Sequence, residues 1–251
     1  MALLRRHSSS VNGSEAYKHA GAPIYAVRVA VRALLFDFDG LIVDTESPSL
    51  AAWRWVYEEH GQELTLDRWS AAVGTIDGFD PVAHLRELSS EPVRQDVLER
   101  RLDHELTLTE AELLRPGIAE YLAEAERLGL RKAIVSSASR EWIDRHLGRL
   151  ERLHGWDAIV TADHDPERAK PRPTLYLEAL GVLEIEAAEG IAFEDSPNGI
   201  AAARAAGILC VGVPNPVTAG LGLDAADLVV DSLASLPLAE VLALLEAAEP
   251  P

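Results

Sequence analysis

The stretch Leu34-Leu-Phe-Asp37-Phe-Asp39-Gly40-Leu-Ile-Val-Asp44-Thr45 opens with an apolar run that stops abruptly on two carboxylates. Such an uninterrupted run reads as a strand buried on both faces, the condition of a parallel sheet covered by helices. In extended chain, residues i and i+2 point the same way, so Asp37 and Asp39 converge while Phe38 packs away from them. Taken alone, Asp39-Gly40 is also a common turn pair and Asp37 a capping residue. The neighbours decide between these readings.

Outward from this strand, the same signal recurs at Lys132-Ala-Ile-Val135, Ala158-Ile-Val160, Gly190-Ile-Ala-Phe193, Ile208 to Val213 and Leu228-Val-Val230. Helical patterns separate the runs. Pro116-Gly117 opens one over Ile118, Tyr121, Leu122, Ala125 and Leu128, and Gly129 closes it. Ser196-Pro197 places a capping side chain and an N1 proline before Ile200 to Ala206, and Gly207 ends that helix. The expected class is α/β with a parallel sheet.

The stretch from Ser47 to Leu114 is far too long for an ordinary crossover. It carries helical patterns of its own, over Leu50 to Gly61, Leu66 to Val73 and Val93 to Leu108, and is expected to be an inserted helical domain. The expected organisation is a loose N-terminal extension over 1–29, a core over 30–46 and 115–251, and a helical insertion over 47–114. The extension, basic and serine-rich at its start, lacks the apolar segment of a secretory signal.

The remaining chemistry sits at other strand ends. Glu194-Asp195-Ser196-Pro197-Asn198-Gly199 repeats the grammar of the first motif, two acids followed at once by a capped helix. Hard oxygen ligands from two strand tips suit Mg²⁺, although either acid could also serve the positive end of that helix. Ser136-Ser137-Ala138-Ser139 offers hydroxyls and backbone N–H groups to a phosphate, and Ser139 alone would read as a helix cap. Lys170-Pro171 can project a compact positive charge, where an isolated lysine would be taken for a surface residue.

Composition sets limits. The formal charge is −18, from 41 acidic and 23 basic residues. Such a chain repels nucleic acid and anionic membranes at long range, and neither is expected as a partner. An anionic substrate then needs a metal and a lysine to reverse the field locally. Cys210, the only cysteine, lies in an apolar run and reads as a packed thiol in a chain suited to a reducing cytoplasm.

Asp-x-Asp-Gly, then Ser, then Lys-Pro, then Glu-Asp, in that order at successive strand ends, resembles the haloacid dehalogenase-like hydrolase superfamily over Leu34 to about Pro214. The insertion resembles the helical cap of the subfamily that contains β-phosphoglucomutase and phosphoglycolate phosphatase. The resemblance implies a Rossmann-like core and a Mg²⁺-dependent phosphatase acting on a small phosphorylated metabolite. It implies Asp37 as nucleophile through an aspartyl-phosphate, and Asp39 as general acid and base. The metal would be held by Asp37, Asp39 and Asp195 with Glu194 close by, and the phosphoryl group by Asp39, Gly40, Ser137, Ala138 and Lys170.

Two departures bear on the reaction. β-Phosphoglucomutases carry a histidine after Asp-Thr and an arginine in the cap loop. Glu46-Ser-Pro-Ser49 has no histidine and Val73 to Gly78 has no arginine, which favours transfer to water over transfer to a sugar. A dehalogenase would lack Asp39, and a silent phospho-ligand-binding protein would have lost Asp37, Asp39 or Lys170. His60, His84, His104, His146, His154 and His164 share no metal spacing and read mostly as surface histidines, while Trp53, Trp55, Trp69 and Trp142 read as helix packing.

Overall fold

The structure is a computed structural model that describes residues 30–70, 79–89 and 91–247. The expected N-terminal extension, the end of the Leu66 to Val73 pattern and the loop Val73 to Gly78 lie outside those residues.

The sheet has six strands, β1 (Ala33–Phe36), β2 (Arg131–Ser136), β3 (Ala158–Thr161), β4 (Gly190–Glu194), β5 (Leu209–Gly212) and β6 (Leu228–Val229), in the order β3-β2-β1-β4-β5-β6. All pairings are parallel, with Phe36 opposite Ile134 on one side and Phe193 on the other. The six runs read from the sequence are therefore the six strands, and the class is α/β with a Rossmann-like core.

The period of two along β1 divides the core. Leu34 and Phe36 face a layer made by α5 (Ile118–Leu128), α6 (Arg140–Arg149) and α9 (Leu238–Ala247), with Phe36 stacked on Phe193 at 5.0 Å. Ala33 and Leu35 face α7 (Thr174–Leu183) and α8 (Pro197–Ala205). Cys210 is buried and free in this second layer. Helices cover both faces, which is why the strands are continuously apolar instead of alternating.

Between β1 and α5 lie α1 (Glu46–Glu58), α2 (Leu66–Ser70), α3 (Pro81–Leu88) and α4 (Gln95–Ala111). They bury a separate apolar cluster of Leu50, Val56, Tyr57, Leu64, Trp69, Leu85 and Val97, reached from the core side by Val217. Helix α3 was not foreseen: it buries Leu85 alone, too little for a periodic signal, and its start is fixed by Asp80 accepting from Val82 N and Ala83 N. The two chain passages joining these helices to the core are tied together, through a bridge of Val43 to Leu114 and a bond from Arg115 N to Ile42 O. Among the described residues, no helix is long and apolar enough to cross a membrane.

Candidate active site

The order of the strands reverses beside β1. From β1 the chain steps outward to β2 and β3, then returns to place β4 on the other side. The crevice at the carboxyl ends of β1 and β4 is thus a topological switch point, where open α/β sheets bind ligands. Asp37 and Asp39 follow β1, and Glu194 and Asp195 close β4.

Asp37, Glu194 and Asp195 are buried, and each offers an oxygen within 4.8 Å of the others. Like charges at that spacing, out of water, oppose one another's ionisation. Burial and the Asp37 and Glu194 charges hold the Asp195 carboxyl well above the usual carboxylate range. One cation is already present. Lys170 Nζ contacts Asp37 Oδ1 and lies 2.6 Å from Glu194 Oε1. Burial would lower the lysine pKa, but the two carboxylates outweigh it and raise it, so the ammonium stays charged.

One lysine does not neutralise three acids. The donor set is all hard oxygen. A divalent cation that prefers oxygen fits this surplus of buried negative charge.

The turn after β1 is shaped to admit Asp195. Gly40 has φ +79°, and a Cβ there would sit 2.3 Å from Asp195 Oδ2 and 2.5 Å from Asn215 Nδ2. Asn215 donates to that same Asp195 oxygen at 2.7 Å and to Gly40 O at 3.3 Å. Arg115 bridges Gly40 O and Pro214 O, at 2.5 and 2.7 Å, and so locks the loops after β1 and β5 together.

Asp39 faces a different set of groups. Its Oδ1 accepts from Thr45 Oγ1 at 2.9 Å and from Trp142 Nε1 at 2.8 Å, and Ser136 Oγ stands 3.5 Å from Oδ2. Burial and the Asp37 charge push its carboxyl up to about 6, against the pull of the two donors. A group with that value can hold or release a proton near neutrality.

The hydroxyl-rich end of β2 lies beside this group. Ser137 Oγ accepts from Lys170 N at 3.1 Å, which joins the loops after β2 and β3 and leaves its own proton to donate. Ala138 N donates to Ser136 Oγ at 3.1 Å, and Gly40 N to Val43 O at 2.8 Å, so both of these expected phosphate donors have internal partners. Ser139 caps α6, accepting from Trp142 N.

Four residues at the site carried no signal that singled them out: Arg115, Trp142, Tyr176 and Asn215. Asn215, three residues past the end of β5, was the most readable, since polar residues near such ends face the crevice. Two readings are corrected. Trp142 packs on α6 but also binds Asp39. His146 is fully buried, with neither ring nitrogen hydrogen-bonded, and its ring meets Trp142 edge-on at 4.2 Å.

Comparison with known proteins gives the family and the fold. The family model described as haloacid dehalogenase-like hydrolase matches residues 34–213. "Putative phosphatase YhcW" of Bacillus subtilis (strain 168) is 40% identical over 213 residues, covering 84% of this chain and 96% of that protein. A HAD family hydrolase from Deinococcus radiodurans R1, solved with bound phosphate and sodium, superposes with TM-score 0.73 at 26% identity, over 86% of this chain and 98% of that one. A CbbY variant from Rhodobacter sphaeroides in complex with xylulose-(1,5)-bisphosphate gives TM-score 0.67 at 28% identity, over 83% and 98%.

Proposed function

The chain belongs to the haloacid dehalogenase-like hydrolase family, and from that premise we propose that it is a Mg²⁺-dependent phosphatase of a small phosphorylated metabolite, with Asp37 as its nucleophile. Membership, the phosphatase names among its relatives and a β-phosphoglucomutase-like solved structure make it a phosphatase or phosphomutase of this type. The observation that carries the finer reading is the contact of Lys170 with Asp37 inside the cluster of Asp37, Glu194 and Asp195. Phosphate and a bisphosphate sugar in related structures support a small phosphorylated substrate.

Asp37 attacks phosphorus, an Asp37 Oδ–P bond forms, and the bond from phosphorus to the leaving oxygen breaks. Asp39, protonated, gives its proton to that oxygen. As a carboxylate it then takes a proton from water, which attacks the same phosphorus; the Asp37 Oδ–P bond breaks, releasing phosphate and restoring the carboxylate. Lys170 and the Ser137 hydroxyl meet the charge of the transferring group. Asp37, Asp195 and the Asp39 carbonyl would hold Mg²⁺, with Glu194 close by, and the bound ion would supply Lewis-acid neutralisation of the phosphoryl oxygens.

The helices between residues 47 and 114 form the proposed cap, and residues 30–46 with 115–251 the core. Helix α1 begins at Glu46, so the join lies inside its first turn. Glu46 to Ser49 offers no histidine to return a phosphoryl group to a sugar, which supports water as the acceptor over mutase chemistry. The single buried thiol suits the reducing cytoplasm.

Hydrolysis of p-nitrophenyl phosphate with and without Mg²⁺, beside Asp37→Asn, tests the reading. Turnover is expected only in the wild type with metal; equal rates in all three sink it. A sugar-phosphate panel scored for isomerised product as well as free phosphate separates phosphatase from mutase.

A further inference from the structure

Tyr176 lies on α7, on the face of that helix buried against the sheet, and is fully shielded from solvent. Its hydroxyl donates to Glu194 Oε1 at 2.5 Å, the same oxygen that Lys170 Nζ approaches at 2.6 Å. The Lys170 ammonium also stands 5.5 Å from the centroid of the Tyr176 ring. One side chain therefore touches both members of the pair, the acid through its hydroxyl and the cation through its π face.

We propose that Tyr176 is a positioning residue, whose hydroxyl fixes Glu194 so that Glu194 holds Lys170 against Asp37 instead of serving as a ligand of the metal. This rests on the phosphatase reading above and assigns roles within the same site. Glu194 Oε1 is committed to two charge-assisted bonds, among the stronger hydrogen bonds a protein makes. Oε2 makes no hydrogen bond and is packed against the start of α8, where a Cβ on Gly199 would lie 1.7 Å away, so only Oε1 carries polar partners. Swinging the carboxylate toward a metal would break bonds to Lys170 and Tyr176 and leave buried polar groups unpaired.

The tyrosine is a dependable donor. Burial and the Glu194 charge hold its phenol well above its ordinary pKa, so the proton stays on oxygen. Asp195 is placed differently: Asn215 donates to it, it closes no salt bridge among the described residues, and it is the acid of this pair left to bind metal.

The test compares wild type, Tyr176→Phe, Glu194→Gln and Asp195→Asn by steady-state kinetics with Mg²⁺ and by Mn²⁺ binding followed by electron paramagnetic resonance. Tyr176→Phe keeps the ring and deletes only the hydroxyl. It is expected to lower kcat about tenfold with KM and Mn²⁺ affinity within about twofold, the split of an interaction expressed in the transition state. A merely structural loosening would move all three. Glu194→Gln is expected to lower kcat further, on the order of a hundredfold, and still bind Mn²⁺ within about threefold, while Asp195→Asn weakens Mn²⁺ more than about tenfold.

Wild-type kcat in Tyr176→Phe overturns the proposal, as does loss of Mn²⁺ binding in Glu194→Gln equal to that in Asp195→Asn. Should Tyr176→Phe fold poorly, Glu194→Gln decides by its Mn²⁺ affinity. A wild type without metal-dependent turnover overturns the phosphatase reading, and this assignment with it.

Discussion

Trp142 Nε1 donates to Asp39 Oδ1 across 2.8 Å, so an indole on α6 holds a carboxyl that is pushed up to about 6. Thr45 joins it on the same oxygen. Both donors favour the ionised form, while burial and Asp37 favour the neutral one.

Trp142→Phe therefore raises the Asp39 pKa further. The alkaline limb of kcat/KM, which reports protonated Asp39 in the free enzyme, is expected to move to higher pH. Loss of a hydrogen bond to a charged group is worth about 1.5–3 kcal/mol, so kcat should fall roughly tenfold or more. A pH–rate profile of the two proteins checks both.

Gly40→Ala places a methyl where Asp195 and Asn215 already are, on a backbone with φ +79°. The strain should cost about 1–3 kcal/mol of stability. Displacing Asp195 by an ångström should lower activity about a hundredfold. Denaturant melts and kinetics on the purified variant measure each.

Metal should stabilise the fold by relieving the acid cluster. At free Mg²⁺ about a hundredfold above Kd the gain is about 2.7 kcal/mol, or roughly 5–10 °C in Tm. Asp195→Asn should lose most of that shift, and thermal unfolding with Mg²⁺ or EDTA reports it.

His146 is held neutral by burial first and by Arg149 and Arg145 second, with a pKa lowered from 6.5 to about 4. Below pH 6.5 the unfolded chain takes up this proton before the folded one does. The contribution is thus complete above pH 6.5 and drains away as pH falls toward 4, by about 3 kcal/mol. His146→Leu should show a correspondingly flatter loss of stability over that window in urea melts at several pH values.

What the sequence disclosed follows from where information is local. β1 and β4 were legible because burial on both faces forces continuous apolar runs, and the carboxylates that end them break the pattern visibly. Gly129 and Ser196 were legible because helix ends need a left-handed residue or a side-chain acceptor. Tyr176 was hidden because its helix is apolar enough to read as core, and nothing in six residues of separation from Lys170 shows that both meet Glu194. The bond of Trp142 to Asp39 and the burial of His146 were hidden for the same reason: helix α6 is strongly polar overall, and only tertiary packing turns this face inward against Phe38 and Asp39.

The central claim is that Asp37 carries the phosphoryl group. Asp39→Asn with acetyl phosphate tests it most directly, because that leaving group needs no proton to depart while hydrolysis of the intermediate lacks its base. Acid quench and mass spectrometry should find a hydroxylamine-sensitive phosphoryl adduct on the peptide containing Asp37, absent when Asp37→Asn is added. No adduct on Asp37, or an adduct elsewhere that survives Asp37→Asn together with turnover, would contradict the account.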